Sequence, residues 1–105
     1  MIMPVVELFH ALGDPTRIKM VDRLARGDSH TITSLSKGLR ISRQGARKHL
    51  QILADSKIIR LEPDGRNTNV LLDMETLYKG QKFIAELEAR WDTRLEALRD
   101  FVDQK

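Results

Sequence analysis

Apolar side chains recur at Val5, Leu8, Phe9 and Leu12, the three-and-four spacing of a short amphipathic helix from Pro4 to Leu12. Gly13 interrupts it, and Asp14-Pro15 then supplies a capping carboxylate followed by a proline at the first helical position, where the missing N–H costs nothing. The second helix so begun carries Ile18, Val21 and Leu24 on one face and stops at Gly27. Thr31 caps a third helix bearing Ile32, Leu35 and Leu39, and the break around Gly38 to Ile41 has room only for a tight turn. Ser42 caps a fourth, in which Ala46, Leu50 and Leu53 form the buried stripe and Ile52 widens it.

Beyond Asp55 the period changes. Ile58 to Leu61 and Val70 to Leu72 are short β-prone runs flanking the polar stretch Glu62 to Asn69, in which Pro63-Asp64-Gly65 has turn chemistry, so a hairpin is predicted. From Asp73 to Val102 there is no proline and only Gly80 to weaken a helix, which predicts one long helix or two abutting ones. Leu77, Ile84, Trp91 and Leu98 repeat every seven residues, with Leu87, Leu95, Phe101 and Val102 widening the stripe. A small domain cannot bury all of this surface by itself. Pairing with the same helix of a second chain is expected, joined by helix one, with Leu8, Leu77, Ile84, Leu87, Trp91, Leu95 and Leu98 at the interface and Trp91 as an anchor. The alternative is that the helix folds back on its own core. The predicted class is mainly α with a small β-hairpin, in the order α-α-α-α-β-β-α.

Charge sharpens the picture. The net charge is only +3, yet no acidic residue lies between Asp28 and Asp55, while Lys37, Arg40, Arg43, Arg47 and Lys48 do. Arg43, Gln44, Arg47, Lys48 and Gln51 fall between the apolar positions of the fourth helix, on its outer face. Two helices joined by a turn of three or four residues, the second basic outside, form a helix-turn-helix arrangement suited to a DNA major groove. A merely solvated basic face is the plainer alternative. Exposed Arg66, Asn67 and Asn69 at the hairpin tip are placed to meet phosphate or a minor groove, or belong to an ordinary polar turn.

Length and composition bound the rest. The 105 residues suit one domain spanning 1–105. The absence of cysteine removes disulfides, thiolate ligands and thiol nucleophiles together. The N-terminal MIMPVVELFH does not read as a secretory signal, and no stretch approaches the roughly 18 apolar residues of a membrane span. A cytoplasmic protein with no membrane partner is expected. There is no phosphate-binding glycine loop and no clustered metal ligands, so no catalytic residues, metal site or cofactor are expected. His10, His30 and His49 lie in different elements with no ligand spacing. For His49, on the partly buried side of the fourth helix, packing or a hydrogen bond is favoured over base contact.

Ala11-Leu12-Gly13-Asp14-Pro15-Thr16-Arg17-Ile18 resembles the "AL(A/G)DPTRL" signature that opens the second helix of arsenic-repressor-type (ArsR) regulators. Leu35 to Gln44 and Lys48-His49-Leu50-Gln51-Ile52-Leu53 are similar to that family's helix-turn-helix segment, in register, and the hairpin tip is similar too. The resemblance implies a winged helix-turn-helix, a fourth helix in the major groove, the hairpin as wing, and dimerisation through segments 1–12 and 74–102. It implies a homodimeric repressor of double-stranded DNA with an inverted-repeat operator and site residues Ser42, Arg43, Gln44, Arg47 and Lys48, to which the hairpin tip adds Arg66 and Asn67 as expected DNA contacts. A winged-helix adaptor that binds proteins instead of DNA is the alternative. Two departures stand out. Arg40 occupies the place of the family's turn glycine, and the third helix lacks the cysteines, and the last helix the histidines, of metal-sensing members.

Overall fold

The computed structural model describes residues 3–27 and 30–104; residues 1–2 of the expected 1–12 pairing segment lie outside them. Five helices and three strands follow in the order α1 (Met3–Leu12), α2 (Pro15–Ala25), β1 (His30–Thr31), α3 (Ile32–Ser36), α4 (Arg43–Asp55), β2 (Ile59–Asp64), β3 (Asn67–Leu72) and α5 (Met74–Asp103). The caps are those the sequence predicts. The Asp14 carboxylate accepts the backbone N–H groups of Thr16 and Arg17 at 2.9 and 3.0 Å, Ser42 Oγ accepts that of Gly45, and Thr31 and Ser34 cap each other's backbone reciprocally. Asp73 caps α5 through the N–H of Glu75.

One apolar centre joins these elements: Leu8 and Ala11 from α1, Met20 and Leu24 from α2, Leu35 from α3, Ala46, Leu50 and Leu53 from α4, and Ile58, Ile59 and Val70 from the sheet. Each of the first four helices contributes one face and turns its polar residues outward.

Three features depart from the sequence reading. First, α3 ends at Ser36, so Leu39 lies in the following turn, although it still packs on the core. Ser36 Oγ donates back to Ile32 O at 2.7 Å, and Arg23 donates to the carbonyls of Leu35 and Lys37 at 2.9 and 2.7 Å, which closes the end of the helix from outside. Second, the hairpin strands extend through the polar stretch to Asp64 and Asn67, leaving only Gly65-Arg66 as the turn. Pro63 sits in β2, and β2 is an edge strand, where a residue without an N–H breaks no ladder. Third, His30–Thr31 adds a short strand on the other side of β3, pairing His30 with Val70 and Thr31 with Asn69. Two residues are too short a run to carry a period.

The long helix is continuous through Gly80. That glycine is buried, and a Cβ built on it would overlap Leu8 Cδ2. Its role is close approach of α5 to α1, reinforced next to it by the Phe9 and Phe83 rings, 6.2 Å apart and tilted by 55°. Leu8 is 2% exposed, so its expected place on the pairing surface is corrected: the missing side chain at position 80 lets it pack inside its own chain. Leu77 likewise packs against the core. In Gly80→Ala the overlap with buried Leu8 is expected to cost about 1–3 kcal/mol in chemical unfolding. The roughly 1 kcal/mol by which alanine is the better helix former works the other way. The net expectation is a loss of up to about 2 kcal/mol, and raised stability would contradict this packing.

Candidate nucleic-acid interface

The fourth helix is positioned by its apolar face and presents the remainder to solvent. Ala46, Leu50 and Leu53 are buried, whereas Ser42, Arg43, Gln44, Arg47, Lys48 and Gln51 are exposed. Gln51 Nε2 donates to Asp55 at 2.8 Å. Arg43, Arg47 and Lys48 have no hydrogen bond or ion pair among the described residues, so three cations on one helix stand without an internal counter-charge. Ser42 is committed as a hydrogen-bond acceptor to the Gly45 N–H, and its own hydroxyl hydrogen is left to donate outward.

The turn that aims this helix is built from unusual backbone. Gly38 lies at φ 81° and Arg40 at φ 55°, so the chain reverses through two left-handed residues within three positions. An L-residue there costs about 1–2 kcal/mol, which the enclosing packing of Leu39 and Ile41 on the core offsets. Arg40 thus takes a positive φ itself, and Gly38 shares the bend with it. Arg40 and Lys37 are both exposed on this turn, which extends the basic surface from the third helix to the fourth.

At the hairpin tip Arg66 and Asn67 are exposed, Arg66 in the turn itself and Asn67 at the first position of β3. Asn69 Nδ2 approaches Asp64 Oδ2 at 3.5 Å. The hairpin projects from the same helix-turn-helix unit, since β2 packs on α4 and β3 on α2 and α3.

Beneath the recognition face lies a cluster that the sequence reading touched only through His49. Arg17, from α2, donates from Nε to Ala11 O at 2.6 Å and points its Nη1 at His49 Nδ1, 3.1 Å away. Asp14 Oδ2 is 3.9 Å from the same imidazole nitrogen. The signal for Arg17 was its place in the Asp14-Pro15-Thr16-Arg17 run, which reads as a helix start and hides the reach of the side chain. Acceptance of the Arg17 N–H, with the charge of Arg17 acting in the same direction, holds the Asp14 carboxyl below its ordinary value of 3.8 despite some desolvation. A carboxyl lowered in the folded state contributes its stability in full above the unfolded value and loses it as pH falls through the folded value. Asp14→Asn is therefore expected to lose less stability than the parent as pH falls below about 4 in urea unfolding. Parallel curves would contradict the assignment.

Among the described residues no three His, Asp or Glu side chains stand together as a metal site, and no helix is long and apolar enough to cross a membrane. Along α5, Ile84, Leu87, Trp91, Leu95 and Leu98 are 43 to 60% exposed, and the molecule is 70 Å long but only 26 by 24 Å across.

Residues 12–62 match the family model of a helix-turn-helix domain. Among solved structures, an ArsR family transcriptional regulator is similar with a TM-score of 0.82 and 29% identity, covering 88% of this chain and 94% of that one. An ArsR-like transcriptional regulator from Rhodococcus sp. RHA1 is similar with a TM-score of 0.81 and 28% identity, covering 94% and 92%. Reduced HlyU from Vibrio cholerae N16961 shares the fold, with a TM-score of 0.63 and 20% identity over 85% and 88%. No curated protein sequence matches the chain.

Proposed function

We propose, for a chain whose fold and helix-turn-helix segment are those of ArsR-type winged helix-turn-helix regulators, that it is a homodimeric repressor acting on an inverted-repeat operator in double-stranded DNA. The solved structures it resembles are transcriptional regulators, which supports this reading over an enzymatic one. The observation that carries the finer reading is the outer face of α4, where Arg43, Arg47 and Lys48 lie exposed and uncompensated beside Gln44. Arg43 and Arg47 are suited to bidentate recognition of guanine and Gln44 to adenine, while Ser42 and Lys48 hold phosphate. Arg66 and Asn67 on the wing reach the neighbouring backbone or minor groove.

Dimerisation runs through segments 1–12 and 74–102, with Ile84, Leu87, Trp91, Leu95 and Leu98 as the seam. Their exposure on a helix that outruns the core supports it. A two-fold dimer sets its recognition helices in successive major grooves ~34 Å apart, and occupancy excludes polymerase. Selection from randomised duplexes tests this: the reading expects enrichment of an inverted repeat whose half-sites lie one helical turn apart. Enrichment of an asymmetric sequence, or none, would count against it.

A further inference from the structure

Three elements meet at the Arg17 side chain. Its Nε closes on the carbonyl of Ala11 in the last turn of α1, and its Nη1 meets His49 Nδ1 on α4 at 3.1 Å. A guanidinium only donates, so His49 Nδ1 must be the acceptor, which fixes the ring as neutral with its proton on Nε2. Asp14 stands behind both groups. Its Oδ2 accepts the Arg17 backbone N–H at 3.0 Å and lies 3.9 Å from the imidazole, with both side chains about a quarter exposed. Helix α1, at the other end of the bridge, is locked to α5 by the Leu8–Gly80 approach and the Phe9–Phe83 ring pair.

We propose that Arg17 is the positioning residue for the DNA-reading helix: it ties α4, through the neutral Nε2–H tautomer of His49, to the α1–α5 frame. The inference deepens the DNA-binding reading and rests on it. His49 directly follows Arg47 and Lys48 in α4, so the bridge grips the helix beside the side chains assigned to DNA. A paired regulator reads two half-sites only if both helices are held at a set angle to the shared frame. Hydrophobic packing of Ala46, Leu50 and Leu53 fixes the depth of α4, but apolar contacts are not directional. The hydrogen bonds from Arg17 are, and they fix its rotation. The residue is thus a determinant of specific affinity that touches no DNA.

The test combines histidine tautomers by ¹⁵N NMR on the unaltered protein with operator and unrelated-duplex affinities of Arg17→Gln, His49→Leu and His49→Asn. Asparagine Oδ1 stands where the imidazole Nδ1 stood and restores the acceptor; leucine does not. At neutral pH the His49 signal is expected to show protonated Nε2 and bare Nδ1. Arg17→Gln and His49→Leu are expected to lose about tenfold in operator affinity, with unrelated-DNA affinity little changed and the double variant no worse than the weaker single. His49→Asn should recover to within about threefold of the parent. A protonated Nδ1 in neutral His49, full operator affinity in His49→Leu, or equal weakness of the asparagine and leucine variants overturns the proposal. The tautomer is read without any variant, so a misfolding substitution does not shield it. An unaltered protein with the expected tautomer that prefers no duplex overturns the DNA-binding reading instead, and the role of Arg17 with it.

Discussion

Removal of Arg43 and Arg47 together by alanine is expected to lower operator affinity about a thousandfold while leaving the fold intact. Each well-placed arginine–guanine pair discriminates by about 1–3 kcal/mol. In the proposed dimer two residues on two protomers would make four such contacts, and even at the lower figure their sum is about 4 kcal/mol, near a factor of a thousand. Both side chains are exposed and make no hydrogen bond or ion pair among the described residues, so the unfolding midpoint should not move. Affinity for unrelated DNA should fall far less, because Lys48, Lys37, Arg40 and Arg66 remain as exposed cations available to phosphate. Competition binding against the selected operator measures both numbers. Retained discrimination in the double variant would move the reading to another face, or to the adaptor alternative.

The second large effect concerns the seam. Leu87→Asp with Leu95→Asp is expected to convert the dimer to monomer at micromolar concentration and to cost about a hundredfold or more in operator affinity. Linked half-site contacts gain some 10²–10⁴-fold over independent ones, and that gain disappears with the link. Leu87 and Leu95 are 47% and 45% exposed and are no part of the central cluster, so the monomer should keep its core. Sedimentation and binding on the same samples separate the two effects. A double variant that still sediments as a dimer would show that this stripe is not the seam.

The places where the sequence was legible share one property: the signal is local. Asp14, Thr31 and Ser42 cap helices because a short oxygen-bearing side chain before an apolar period has few other uses, and the structure has each of them capping. The outer face of α4 follows from the same period that buries Ala46, Leu50 and Leu53. What was hidden depends on partners distant in sequence. Gly80 reads as a weak point of a helix until Leu8, 72 residues earlier, is seen filling its missing side chain (80 − 8). Leu8 is misread for the same reason, since an apolar residue on a helix does not say which neighbour covers it.

Arg17 looks like one more charge in a helix start, and only the fold brings Ala11 O and His49 within its reach. The hairpin is where the sequence placed it, but its strands run further than expected for a different reason. Asn67, Thr68 and Asn69 are polar enough to read as loop, but strand propensity yields to pairing, and β3 is the central strand with partners on both sides.

Site-specific duplex binding stands or falls on one titration. A fluorescent duplex carrying the DNA upstream of this protein's own gene is titrated by anisotropy at several salt concentrations, beside an unrelated duplex of equal length. A preference of about a thousandfold or more for the first is expected, with a steep loss of affinity with salt as arginine and lysine release counterions from phosphate. Equal and weak binding to both duplexes, or none at low salt from a folded dimer, would contradict it.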